Sequence, residues 1–126
     1  MARARVETGI DSARVDRTTR PIDLVFLARQ TMGDRRLESE VLAMFETQVA
    51  LYWERVASAT EADKISLGIH TLKGAALGVG AMALAELTAA AEAEMRERGR
   101  IEDETLADIG IAVNEVVGYI GVLLRS

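Results

Sequence analysis

The sequence contains no cysteine, one histidine (His70), one proline (Pro21) and few aromatics: one Trp, two Tyr and two Phe in 126 residues. Without cysteine there can be no disulfide framework, no thiolate zinc site and no thiol nucleophile. One imidazole excludes a mononuclear metal site built from two or three histidines of this chain. Lysine is scarce too: Lys64 and Lys73 stand against thirteen arginines. Twenty acidic residues bring the net charge to −5, which argues against nonspecific nucleic-acid binding. No run approaches the roughly 18 charge-poor apolar residues expected of a membrane span. The opening MARARVETGIDSARVDRTTRP has no apolar core of the kind a secretory signal needs. The expectation is a cytoplasmic monomer with neither nucleic acid nor membrane among its partners.

What is present is 49% hydrophobic residues in a chain of single-domain length. Residues 1–20 carry five Arg against Glu7, Asp11 and Asp16, a local +2 that leaves −7 for the remainder. Their apolar residues are sparse and aperiodic, so residues 1–20 read as a flexible or partly helical arm. From residue 21 the pattern predicts five helices. Pro21 suits a first helical turn, with Ile22, Leu24, Val25 and Ala28 forming a short apolar face that ends at Gly33. Asp34 can cap a second helix with the stripe Leu37, Val41, Phe45, Gln48, Tyr52 and Val56, flanked by Met44 and Val49. Thr60 and Asp63 resemble a capping box opening a third helix near 61–78. A fourth, near 81–98, would bury Leu84, Leu87, Ala91 and Met95 and end in Arg96, Arg98 and Gly99. A fifth, near 103–124, presents Leu106, Ile109, Val113, Val116, Val117, Ile120 and Leu123. The fold class is therefore all-α: an antiparallel up-down four-helix bundle over 21–126, with an additional short N-terminal helix covering one end.

The third helix carries the chemistry. Ile65, Ile69, Leu72, Ala76 and Val79 form its apolar stripe, and His70 lies roughly 140° from the centre of that stripe. The imidazole should face outward or sit at a rim, among Ser66, Leu67, Lys73, Gly74 and Leu77. A lone surface histidine would look no different, so the neighbours decide. Gly74 costs about 1 kcal/mol relative to Ala in a helix. Its place one turn from His70 suggests clearance for a bulky partner, the alternative being close helix packing. Lys73 sets a positive charge one turn away, or is merely solvated. Counting back from the turn at Gly78–Gly80 brings Glu92 level with His70, where a carboxylate would accept the Nδ1–H and leave Nε2 exposed.

The run His70-Thr71-Leu72-Lys73-Gly74-Ala75-Ala76-Leu77-Gly78-Val79-Gly80-Ala81 closely resembles the His-x-x-Lys-Gly signature of histidine-containing phosphotransfer (HPt) domains, with its further Gly six residues on. The likeness continues through Leu84, Leu87 and Glu92. Upstream, Asp23, Leu24, Gly33, Asp34 and Phe45 also fit, so that residues 22–124 are covered. The resemblance implies His70 as the phosphorylated side chain, Lys73 as the positive neighbour stabilising phosphate, and Gly74 as steric access. Gly80 would mark the turn and Glu92 would orient the imidazole. The expected docking surface is Ser66, Leu67, Leu77 and Gly78 with exposed positions on helix two. It further implies a stoichiometric phosphocarrier, not an enzyme, exchanging phosphate with the Asp of response-regulator receiver domains or with a hybrid histidine kinase. No cofactor is expected on this chain, Mg²⁺ belonging to the partner receiver.

Competing readings are weaker. Gly78-Val79-Gly80-Ala81-Met82-Ala83 mimics a dinucleotide fingerprint but follows a helical pattern, not a strand. No P-loop and no ATP-binding lobe is present. The acidic residues are dispersed without a Ca²⁺-loop spacing, and no metal site is expected. The alternatives are a non-phosphorylated helical adaptor for signalling proteins and a kinase-linked phosphoacceptor domain. Retention of His70, Lys73 and Gly74 together favours the phosphocarrier.

Overall fold

A computed structural model describes residues 20–125, so the arm expected over 1–20 lies, but for Arg20, outside the described residues. The first helix, α1 (Leu24–Gln30), begins where the Asp23 carboxylate accepts the Phe26 N–H at 3.0 Å. Pro21 therefore precedes the helix and does not occupy its first turn, which corrects the expected start. Ile22, ahead of the helix, and Leu27 within it are buried, while Val25 of the expected face is left exposed. Thr31 ends it, and Met32 and Gly33, both at positive φ, reverse the chain.

Asp34 then caps α2 (Arg35–Ser58), its carboxylate accepting the N–H groups of Arg36 and Leu37 as the sequence leads one to expect. The buried line of α2 is Leu42, Phe45, Val49 and Val56, whereas Leu37 and Met44 are exposed. The core stripe is thus rotated from the expected one, because Trp53 and Tyr52 pack at the two edges of the interior. The next helix, α3 (Ala62–Val79), has Glu61 at its N-cap and no side-chain cap. The expected Thr60–Asp63 capping box does not form, since Thr60 stands one residue too early. Packing secures the helix further along, where Ile69 and Leu72 are fully buried, each worth about 1.5–3 kcal/mol. Gly80, at φ +86, closes α3, and Ala76 O accepts the N–H groups of both Gly80 and Ala81.

Across that turn α4 (Met82–Arg98) buries Leu84, Ala85, Thr88 and Ala91. Thr88 was not part of the expected stripe, and Leu87 and Met95 are only partly buried. Its hydroxyl is satisfied by the carbonyls of Leu84 and Ala85, both at 2.9 Å, which lets it sit in the interior. Gly99 at φ +75 ends the helix after Arg96 and Arg98. The joint to α5 (Asp103–Arg125) is made by Glu94, which accepts the Glu102 N–H at 2.9 Å and the Thr105 hydroxyl at 2.6 Å. These two donors, Thr105 first, hold the Glu94 carboxyl below the usual range.

The described chain is all-helical, with five helices and no strand. α2 packs against α3 and α5, and α4 against the same two, so four helices close a ring around one core, while α1 lies on α2 and α3. By length and composition α5 is apolar enough to cross a membrane, which corrects the expectation that no stretch is. Here Ile109, Ala112, Val113, Val116 and Ile120 form its buried side within the bundle.

Candidate functional site

Helix α3 delivers His70 to the surface because the stripe residues on either side of it in sequence, Ile69 and Leu72, are pinned inside. Ile69 and Leu72 are wholly buried, which turns the intervening imidazole outward, its side chain 70% exposed. The two-residue turn at Gly80 and Ala81 sends α4 back along α3, and Glu92 arrives opposite. Its Oε2 lies 2.8 Å from His70 Nδ1, while Oε1 takes the Lys73 ammonium. One carboxylate, largely shielded, thus ties three residues from two helices together. The Lys73 ammonium does most to hold the Glu92 carboxyl below the usual range; partial burial opposes this, and the His70 contact adds to it. An ionised Glu92 can only accept, so the shared proton sits on Nδ1 and the second ring nitrogen, Nε2, carries a free lone pair.

Lys73 is therefore held by Glu92, and its side chain is only 27% exposed. The sequence set it beside His70 as a positive neighbour; the structure gives it a specific anionic partner. Around the imidazole, Ser66, Leu67, Gly74, Leu77 and Gly78 are all exposed on the outer side of α3. A Cβ added at Gly74 or Gly78 would meet nothing within 4 Å, so neither glycine serves close helix packing. Gly80 is ten residues from His70, about 15 Å along the helix, and works elsewhere. Its carbonyl accepts the Asp23 N–H at 2.9 Å, and an added Cβ would lie 2.9 Å from Phe26 Cδ2. Gly80 thereby seats α1 against the end of α3. Among the described residues no group of three or more His, Asp or Glu could hold a metal ion.

The family model of the Hpt domain matches residues 40–121, which include all of α3 and α4. The chain belongs to the Hpt family. Hpt domains carry out histidine phosphotransfer in phosphorelays and serve as carriers, interacting with receiver domains and kinases. No curated protein and no solved structure matches the chain.

The surface of this Hpt domain has a side. Its exposed large apolar residues include Leu37, Met44 and Leu51, spaced by seven along α2, and Leu67 and Leu77 on α3. Arg55, one turn beyond Leu51, lines a groove of about 420 Å³ with Tyr52, Leu67 and Thr71, so the α2 line borders α3. Trp53 and Glu46, which meet Gly110 and Arg125 of α5, lie on the other side of α2. Helix two thus adds an apolar border to the His70 face. The sequence pattern places Leu37 in the apolar stripe and Met44 beside it; their seven-residue spacing with Leu51 is the signal that both lie outside the core.

Proposed function

We propose that this chain is a phosphocarrier that exchanges a phosphoryl group between Nε2 of His70 and the aspartate of response-regulator receiver domains, including that of a hybrid histidine kinase. In this reading it works as a cytoplasmic monomer, its ring of four helices forming an up-down antiparallel bundle. The observation that carries the proposal is the 2.8 Å contact between Nδ1 and Glu92 on a ring that is 70% exposed. In the forward step the Nε2 lone pair attacks phosphorus and the acyl-phosphate P–O bond breaks. The bonding electrons leave with the receiver's aspartate, and the Nδ1 proton stays in place. The ring becomes a phosphoimidazolium whose positive charge develops against the Glu92 carboxylate. Lys73 lends its charge from where Glu92 holds it, and Gly74 leaves room for the incoming partner. Ser66, Leu67, Leu77 and Gly78 form the docking rim. The chain itself holds no cofactor; the Mg²⁺ that phosphoryl transfer needs comes with the receiver.

The test is to incubate the protein with a phosphorylated receiver and Mg²⁺ and follow label. Wild type should gain label that survives base and is lost in acid, and His70→Gln should gain none. Undiminished label on His70→Gln would overturn the assignment, since the sequence holds no other histidine.

A further inference from the structure

Helix α5 turns Ile109, Ala112, Val113, Val116 and Ile120 into the bundle. Its packing partners among the described residues are α2 and α4, and the side opposite its buried line faces solvent. That outer side is not the charged surface a solvated helix usually presents. Ile111 is 58% exposed and Val122 66% exposed. At 100° per residue, Glu104, Ala107, Ile111, Gly118, Val122 and Arg125 fall along one line of this side, and all six are exposed.

The order of residues along that line complements itself when reversed. A second α5 can be laid antiparallel across the first, with a two-fold axis between Asn114 and Glu115. Each residue then meets the one equally far on the other side of that point. Ile111 faces Gly118 of the second copy, Ala107 faces Val122, and Glu104 faces Arg125. Each large apolar side chain meets a small one, and the acid meets the base. The two-fold axis makes every contact occur twice. A Cβ at Gly118 would meet nothing within 4 Å, so the hollow that receives Ile111 is open. Arg125 holds Glu46 at 3.2 Å yet keeps 64% of its side chain exposed, with further N–H groups to donate.

Glu115 works against this pairing. It lies beside the axis and brings like charges of the two copies together. One helix face also covers only about 500 Å² per copy, short of the roughly 800 Å² of a standard interface. The association is therefore reversible, with single chains in dilute solution and pairs as concentration rises.

We propose that the outer face of α5 binds a second copy of this chain, through an antiparallel α5–α5 contact in which Ile111 seats on Gly118. Pairing withdraws a second apolar patch from solvent. Since α5 lies across the ring from α3 and makes no contact with it, both His70 faces stay open. The transferring unit remains the single chain, and the pairing uses no property of His70.

Sedimentation equilibrium of the full chain from about 5 µM to about 1 mM tests the proposal, with thermal melts to confirm that each variant folds. Wild type should pass from the mass of one chain to that of two and no further, with a Kd on the order of 100 µM. Ile111→Asp should weaken pairing by about tenfold or more. Gly118→Leu adds apolar surface but fills the hollow, and should weaken pairing as well. Glu115→Gln should tighten it by about threefold or more. Leu51→Asp, on the border of the His70 face, should leave Kd at the wild-type value. A wild type that stays a single chain throughout, or grows beyond two, overturns the proposal. So does association that Gly118→Leu strengthens, which is general apolar adhesion, or that Leu51→Asp abolishes, which runs through the His70 face.

Discussion

A glycine inside a helix costs about 1 kcal/mol relative to alanine, and Gly74 recovers none of it by packing, since a Cβ there would meet open space. Its cost is explained if the space itself is used. Gly74→Gln should therefore raise the melting temperature slightly, or leave it unchanged, while slowing transfer from a phosphorylated receiver by about tenfold or more. Thermal melts and transfer rates on one preparation check both halves, and a large loss of stability would return Gly74 to a packing role. At this scale much of the geometry could be read beforehand. The period of α3 turns His70 outward, and counting from the Gly80 turn brings Glu92 to it. The ion pair between Lys73 and Glu92 could not be read, because a lysine has several rotamers and a sequence does not choose among them.

At the scale of the helices, the pattern gives periods more faithfully than phases. All five expected helices form, yet α1 buries Leu27 and leaves Val25 exposed, the buried line of α2 is rotated toward Leu42 and Val49, and that of α4 takes in Thr88. Phase depends on which neighbours press on a helix, and this is tertiary information. Gly68 illustrates it. An added Cβ there would lie 2.6 Å from Val56 Cγ2, so this glycine is what lets α2 approach α3. Gly118 on α5 has open space at the same position. The two glycines are alike in sequence terms, both being helix-interior. Gly68→Ala should destabilise the fold by about 1–3 kcal/mol through overpacking against a short, stiff valine. Gly118→Ala should stabilise it by about 0.5–1 kcal/mol through helix propensity. Urea titrations of the two variants decide it, and equal effects would mean that α2 and α3 are not in close contact at Gly68.

For the whole molecule, the asymmetry of the surface matters more than its total charge. A carrier that meets several partners in turn needs a small apolar patch near the reacting atom and no competing patch elsewhere. Leu51 of α2 is 41% exposed on the border of the His70 face, and Val122 of α5 is 66% exposed on a different helix of the ring. Both sites tolerate a polar side chain as far as burial is concerned, and aspartate adds the same charge at each to a domain that is already acidic. Any general repulsion of a partner is therefore common to the two variants, and only the local contact differs. Leu51→Asp should raise KM for the phosphorylated receiver by about tenfold, the loss of one well-placed apolar contact, with the saturating rate nearly unaltered. Val122→Asp should leave both constants at wild-type values. If Val122→Asp raises KM as much as Leu51→Asp does, the partner either reads net charge alone or docks on α5, and the side assigned to the surface is wrong. If neither does, the contact with the partner is confined to α3 itself, between Leu67 and Leu77.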